Sequence, residues 1–137
     1  MINKRLFILC FSLLFFVSGL ISETGEARRR WEMQNQIRRD KFDLILPEVM
    51  RENKIDMWIT VMKEGNYGPL FEDFGRGYIG DTGYYIFTDR GGERIERAVL
   101  GIDGLLIEQC GAYDIFGSSA GLKKFVQERN PKRIGIN

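Results

Sequence analysis

The sequence has no histidine among its 137 residues. Without an imidazole, this chain cannot form a Ser-His-Asp or Cys-His catalytic group, and it cannot supply the histidine ligands that many zinc sites use. Acid and base chemistry would have to come from carboxylates, lysine, tyrosine or a thiol, each with a shifted pKa. Most hydrolytic mechanisms are therefore excluded for this chain by itself.

Cysteine is also scarce, with only Cys10 and Cys110 present. Cys10 lies inside an apolar amino-terminal block, where we interpret it as a hydrophobic filler. If that block is removed on export, Cys110 is the one remaining thiol and no intramolecular disulfide can form. Because no histidine is available to activate it, we expect Cys110 to be a small buried side chain rather than a nucleophile.

Neither sign of charge is in excess, since 20 lysines and arginines face 19 aspartates and glutamates. This balance gives no reason to expect a polyanionic partner, so we predict no nucleic-acid binding. The length allows one domain with a real hydrophobic core and is too short for two ordinary ones.

The amino-terminal residues have the layout of a secretory signal peptide. Lys4 and Arg5 precede an apolar block at 6–21, and polar residues follow it. We predict a signal peptide at 1–22 and export to the periplasm or the exterior, with a membrane anchor if the segment stays uncleaved. Its removal deletes Lys4 and Arg5 and no acid, leaving 18 basic and 19 acidic residues and a net charge of −1. Residues 23–40 are highly charged and predict a solvated helix that leads into a domain at 41–137.

The stretch 41–61 predicts a helix followed by a central strand. Its apolar residues recur at the i, i+3, i+4, i+7, i+8 spacing of one buried helix face, and these residues are Phe42, Ile45, Leu46, Val49 and Met50. Residues 57–61 then form an apolar run that is typical of a buried strand. Pro47 predicts either a kink in one bent helix, which the continuous apolar face favours, or the first turn of a second helix.

The rest of the chain predicts a mixed α/β sheet covered by helices, because a second helix-to-strand unit follows a hairpin. In order, the pattern predicts a loop at 62–69, a helical turn at 70–74, a second loop at 75–83, a hairpin at 84–100 with Gly91-Gly92 at its turn, a short strand at 105–110, a helix capped near Ser118 and stopped by Asn130-Pro131, and a strand at 133–136.

Two motifs fall in the predicted loop 75–83. Residues 75–80 fit G-x-G-x-x-G, but a strand rather than a helix follows, which argues against dinucleotide binding. Asp81-Thr82-Gly83 is the triplet of dimeric aspartic proteases, in which two such aspartates share a proton. Those enzymes place the triplet directly after an apolar strand, whereas Gly80 precedes it here. An aspartic protease dimer using Asp81 therefore remains a less favoured alternative.

Several segments in the same order resemble the amino-terminal domain of exported Xaa-Pro aminopeptidase-like metallopeptidases, members of the creatinase and prolidase superfamily. They are residues 41–59, the loop with Glu64, Asn66 and Pro69, the hairpin residues 86–92, and residues 130–137. The resemblance implies a ribonuclease H-like α/β fold. It also implies a following pita-bread catalytic domain that holds two metal ions through two Asp, one His and two Glu.

The resemblance implies that this chain is non-catalytic by itself, with no catalytic residue, metal ligand or cofactor of its own. The expected partner is the catalytic metallopeptidase domain, in cis or as a separate subunit, and homo-oligomer contacts are also implied. We predict that one loop makes the domain contact and supports substrate access, through Lys63, Glu64, Asn66, Tyr67, Pro69 and Phe71. Two positions depart from the family, since Gly68 replaces an acidic residue and Lys63 an arginine. The alternative function is a free-standing exported binding module.

Overall fold

The computed structural model describes residues 25–137, so the predicted signal peptide at 1–22 lies outside the described residues. The chain divides into two compact units, residues 1–34 and 35–137. In the first unit, residues 25–34 are helical, and Arg28 and Glu32 form an exposed ion pair of 2.9 Å. None of the helices within residues 25–137 combines the length and the apolar character that crossing a membrane requires.

The second unit is built on a mixed five-stranded sheet, which confirms the predicted α/β class. The strands are β1 (Met57–Lys63), β2 (Tyr78–Thr88), β3 (Glu96–Asp103), β4 (Ile115–Gly117) and β5 (Ile134–Ile136). Their order across the sheet is β4-β3-β2-β1-β5. The strands β1, β2 and β3 are antiparallel, β5 lies parallel to β1, and β4 lies parallel to β3.

The strand predicted at 57–61 is confirmed as an interior strand, β1, with β2 on one side and β5 on the other, and β2 is the middle strand of the five. β2 pairs with β1 on one side and with β3 on the other over most of its eleven residues. β1 instead shares its outer side with β5, a strand of only three residues. An apolar run shows that a strand is buried, but it does not show how many full-length neighbours the strand has.

The helical segments lie before and between the strands. They are α1 (residues 35–40), a π-helical turn (Lys41–Ile45), α2 (Leu46–Glu52), α3 (Phe71–Phe74), α4 (Leu105–Glu108), a 3₁₀ turn (Ser119–Gly121) and α5 (Leu122–Arg129). The predicted helical turn at 70–74 is confirmed by α3. The strand predicted at 105–110 is wrong, because α4 occupies this stretch. Its apolar run is short enough to fit either a strand or a helix.

The π turn changes which face of the helix is buried. The Leu46 N–H donates to the Lys41 carbonyl, five residues back, and Pro47 lies in the first turn of α2, where its missing N–H costs little. The helical backbone runs without a break from the π turn into α2, and Pro47 is the second residue of α2, so the separate helix of the second predicted arrangement is not observed.

Phe42, Leu46 and Met50 are buried, as predicted, but Ile45 and Val49 are 56% and 46% exposed. The prediction that all five apolar residues share a buried face is therefore wrong. The π turn rotates by a smaller angle per residue about the helix axis than an α-helix does. Leu46, four residues after Phe42, therefore stays on the core side, whereas Ile45, three residues after Phe42, is rotated away from the core.

The loop predicted at 75–83 is also wrong, because β2 begins at Tyr78. The pairing of β2 with β3 shifts register between Ile79 and Tyr84, which marks a β-bulge. Across the bulge, Gly83 still pairs with β1 opposite Met62. A Cβ at Gly83 would lie 2.3 Å from Ile102 Cγ1, so close packing between the strands requires a glycine here. In the sequence alone, this glycine indicated a loop.

The hairpin and the carboxyl-terminal helix-to-strand unit are confirmed. β2 and β3 form an antiparallel hairpin whose connection contains Gly91-Gly92. The Ser118 hydroxyl accepts the Ala120 N–H at 3.3 Å at the start of the 3₁₀ turn. Asn130 adopts the left-handed conformation, with φ of 45°, and ends α5 before β5.

The sheet has a hydrophobic core on each face. Residues 35–52, from α1 through the π turn to α2, are called the first helical segment. One core contains side chains of this segment and of α3, packed on alternate residues of β2 such as Tyr85 and Phe87. The other contains Ile86, together with Phe125 of α5. Cys110 is fully buried in the first core, with its Sγ 3.0 Å from the Ile107 carbonyl oxygen, which confirms its predicted burial.

Candidate functional site

The predicted contact loop lies at one end of the sheet, where four strands finish and β2 begins. β1 ends at Lys63, and β3 ends at Asp103, which pairs with Tyr78 at the start of β2. β4 and β5 end on the same side because they run parallel to β3 and β1. In α/β proteins, ligands and partners bind preferentially beyond the carboxyl ends of the strands.

The first part of the contact loop is a tight turn. The Asn66 N–H donates to the Lys63 carbonyl at 3.0 Å, and the Lys63 N–H donates to the Asn66 carbonyl at 3.4 Å. Gly65 makes this turn possible with a φ of 71°. The Glu64 N–H donates to the Asp81 carbonyl at 3.1 Å, so the turn is tied to β2. The side chains of Lys63, Glu64 and Asn66 are exposed there.

The second part of the loop brings two aromatic rings together. Tyr67 and Phe71 stack with centroids 4.5 Å apart and an interplanar angle of 19°. They line a groove of ≈ 440 Å³ with the side chains of β2 and α4 that lie opposite. We call this surface the end groove; its apolar members are Tyr67, Phe71, Tyr78, Leu105 and Leu106, and Arg76 and Asp103 also line it. Pro69 is exposed but does not line the groove.

The apolar side chains of the end groove are unusually open to solvent. Tyr78 is 70% exposed, Leu105 is 68% exposed and Leu106 is 55% exposed. Single exposed apolar residues are common, but a contiguous group of them around a groove indicates an interaction site.

Sequence reasoning missed Tyr78, Leu105 and Leu106. The spacing of Ile107 and Cys110, three residues apart, could have indicated a helix at 105–110. A helix that buries Ile107 and Cys110 leaves Leu105 and Leu106 exposed to solvent.

The end groove rests on α3, whose carboxyl end is held by a buried arginine. Arg38 of α1 donates from Nε to the Asp73 carbonyl at 2.7 Å and from its second terminal nitrogen to the Glu72 carbonyl at 3.1 Å. A third bond goes to the Asn35 side-chain oxygen. These carbonyls have no partner within their own short helix, so the guanidinium caps them and opposes the helix dipole.

One buried and one partly buried tyrosine hold the next two carbonyls. The Tyr113 hydroxyl donates to the Phe74 carbonyl at 2.6 Å, and the Tyr85 hydroxyl donates to the Gly75 carbonyl at 2.5 Å. Burial raises the pKa of both phenols, so both keep their protons and remain donors at neutral pH. Four successive carbonyls are thus fixed by three side chains, those of Arg38, Tyr113 and Tyr85, and α3 presents Phe71 from a rigid base.

A second groove of ≈ 520 Å³ lies beside the end groove and shares Asp103 with it. It also contains Asp81, which is exposed on the β-bulge, and the hydroxyl residues Ser118 and Ser119. The triplet at 81–83 therefore belongs to a bulged strand. Within residues 25–137, no group of three or more His, Cys, Asp or Glu residues is placed to hold a metal ion.

The G-x-G-x-x-G motif has the context expected from the sequence, with a strand after it. Gly75 follows α3, and β2 begins at Tyr78 inside the motif, so no helix terminus faces a phosphate there. A Cβ at Gly77 would lie 2.5 Å from Ile102 Cγ2. Close packing against β3 is a sufficient reason for this glycine.

No family model, no curated protein and no solved structure matches this chain.

Proposed function

We propose that this chain is the non-catalytic amino-terminal domain of an exported Xaa-Pro aminopeptidase-like metallopeptidase, and that it docks a separate dinuclear-metal catalytic domain. The resemblance of residues 41–59, 86–92 and 130–137 supports this proposal. A mixed sheet with helices on both faces is compatible with the finer proposal of a ribonuclease H-like fold.

The observation that carries the proposal is the end groove itself. Tyr67 and Phe71, two residues of the predicted contact loop, are stacked there beside three further exposed apolar side chains. Aromatic residues on a rigid base are typical anchors of protein interfaces, because they bury a large area with few rotatable bonds. A catalytic domain packed on this groove would narrow access to its own metal site.

The first test of the proposal is an activity assay on the purified chain. We expect no hydrolysis of an Xaa-Pro dipeptide, with or without added manganese, cobalt or zinc, because the metal-binding catalytic domain would be a separate part. Metal-dependent hydrolysis by this chain alone would contradict the proposal. Acid-range cleavage lost in Asp81→Asn would instead support the aspartic protease alternative.

The second test measures docking through the end groove. The probe is a dinuclear-metal Xaa-Pro peptidase catalytic domain encoded in the same genome, titrated against the purified chain by calorimetry. We expect Leu106→Glu to weaken binding by about tenfold or more, since it places a charge in an apolar contact. Leu44→Glu is the control, because Leu44 is also an exposed leucine but lies on the π turn and does not line the end groove.

Equal binding by wild type and Leu106→Glu would remove the end groove from the proposal. A free-standing binding module, the alternative function, would show no affinity for such catalytic domains.

A further inference from the structure

Helix α1 contacts both walls of the end groove, although residues 35–40 do not line the groove themselves. One wall is α3, which carries Phe71, and the other is α4, which carries Leu105 and Leu106. Each of these two helices has only four residues, which is too few for stability in isolation. The positions of both walls therefore depend on contacts that other elements make with them.

Arg38 of α1 holds the carboxyl end of α3, as described above for the Glu72 and Asp73 carbonyls. Gly75 follows α3 with a φ of 105°, and a Cβ at this position would lie 3.2 Å from Arg38 Cζ. The missing side chain at Gly75 thus leaves room for the guanidinium to approach the end of the helix.

Arg39, the next residue of α1, makes the same kind of contact with the other wall. Its Nη1 donates to the Cys110 carbonyl at 2.6 Å, just beyond α4. Gly111 follows with a φ of 67°, and a Cβ at this position would lie 3.5 Å from Arg39 Nη1. Two adjacent arginines, with Cα atoms about 3.8 Å apart, therefore hold one wall each.

Each arginine is itself oriented by an amide side chain three residues earlier in α1. Arg38 donates to the Asn35 side-chain oxygen, and Arg39 donates from Nη2 to the Gln36 side-chain oxygen at 2.6 Å. Residues three apart are neighbours on the surface of a helix, so both amides lie where they can fix the guanidinium groups. The repeated arrangement makes α1 a rigid support for the two walls.

We propose that Arg38 and Arg39 are the positioning residues of the end groove, which together set the distance between its walls, so that α1 regulates binding there. The regulatory part of this inference rests on the proposed docking function of the end groove. Because both arginines lie on one helical turn, a movement of α1 would displace α3 and α4 together. Phe71 and Leu106 would then lose the spacing that a docked surface requires.

Amide hydrogen exchange of the purified full chain, measured by mass spectrometry, tests the two contacts separately. We expect Arg38→Met to accelerate exchange in 71–76 by about tenfold, and Arg39→Met to do the same in 105–111, because each variant loses hydrogen bonds from a charged donor. Exchange in β2 and β3 should remain as in wild type, since a local contact is lost rather than global stability.

Two further variants distinguish positioning from a general disturbance. Arg39→Lys keeps a charged donor and should restore most of the protection in 105–111. Arg28→Met is the matched control, because it removes an exposed helical arginine that pairs with Glu32 and should leave both walls unchanged.

Calorimetric titration with the catalytic domain used in the docking test measures the effect on binding. Arg39→Met should weaken docking by about threefold or more, although Arg39 does not line the groove. The same substitution should have a much smaller effect in the Leu106→Glu background, because its influence on binding passes through α4.

Unchanged exchange in both walls, or uniform acceleration throughout the chain, would overturn the positioning role even if docking at the end groove is observed. Selective exchange combined with equal docking by wild type and Arg39→Met would overturn the regulation. If wild type docks no catalytic domain, the proposed function fails and the regulation of docking with it. The exchange data alone then decide whether the two arginines position the walls.

Discussion

Arg97 is a charged residue that the fold buries, so its guanidinium needs a partner inside the protein. It lies on β3 and is almost fully buried, and its guanidinium bonds to the Asp43 carboxylate of the π turn. The same guanidinium lies 5.3 Å from the centroid of the Phe42 ring. Among residues 25–137, its Nε has no hydrogen-bond partner. A buried cation is tolerated only when it is paired, so Asp43 joins the first helical segment to the sheet through one charged contact.

We expect Asp43→Asn to lower the free energy of unfolding by about 2 kcal/mol, because it leaves a buried guanidinium without its anion. The half-exposed position of Asp43 keeps this cost below that of a fully buried pair. Urea denaturation of wild type and variant measures the difference.

The matched control for this prediction is Asp73→Asn, which breaks the exposed pair with Lys41. It should change stability by no more than about 0.5 kcal/mol. If the two variants were equally stable, Arg97 would not depend on Asp43.

At the scale of elements, α2 is joined to the β2–β3 connection by Arg51 and Asp89. Arg51 donates from Nε and from a terminal nitrogen to the two Asp89 oxygens, at 2.8 and 3.2 Å. Asp89 also accepts the Gly91 N–H at 2.8 Å, and Arg51 bonds to the Gly92 carbonyl. This fork-shaped pairing orders the hairpin connection against the end of α2.

The Asp89 contact predicts a pH dependence of stability. The hydrogen bond from Arg51 is the largest cause that lowers the pKa of the Asp89 carboxyl below its usual value. A carboxyl with a lowered pKa in the folded state contributes stability above its unfolded pKa, about 4, and that contribution is lost as the pH falls through the folded pKa.

Urea unfolding between about pH 6 and pH 2 compares wild type with Asp89→Asn, which cannot titrate. We expect wild type to lose more stability on acidification than the variant does. Parallel stability curves for the two proteins would show that Asp89 does not contribute to acid sensitivity.

The elements predicted correctly from the sequence are those with local signals. Gly91-Gly92 supports the hairpin connection, Ser118 caps the turn before α5, and Asn130 ends α5 through its own backbone conformation. The bulge in β2 could not be predicted, because the glycine at 83 is required by Ile102 on another strand. The π turn was equally invisible, since the apolar spacing at 42–50 fits an ordinary helix.

The end groove was predictable only in part for the same reason. Tyr67 and Phe71 are close in sequence, and loop composition identifies their segment. Tyr78 and Leu105 join them only through the pairing of Tyr78 with Asp103, which is set by the register of β2 against β3. Register depends on the whole hairpin rather than on the few residues near the groove.

At the scale of the whole molecule, the accessibility of one buried thiol can show whether the larger core is intact. Cys110 is fully buried, and its thiol lies against the Ile107 carbonyl. Among residues 25–137 it is the only cysteine. A thiol in this position becomes accessible to a reagent when the surrounding core opens.

We expect the reaction of Cys110 with a chromogenic disulfide reagent to be slow in native conditions and to accelerate with denaturant in parallel with global unfolding. The slow phase should be absent from Cys110→Ala. Fast modification of Cys110 in the native protein, independent of denaturant, would show that this part of the core opens locally.

The π turn also matters for how this protein could change by insertion and deletion. Its five-residue hydrogen bond accommodates one residue more than a regular turn, as a tolerated insertion would. Deleting one residue from 41–45 would rotate the preceding helix by about 100° relative to α2. Arg38 would then turn away from the carbonyls of α3, to which it now donates. The π turn thus sets the angular phase on which the support of α3 depends.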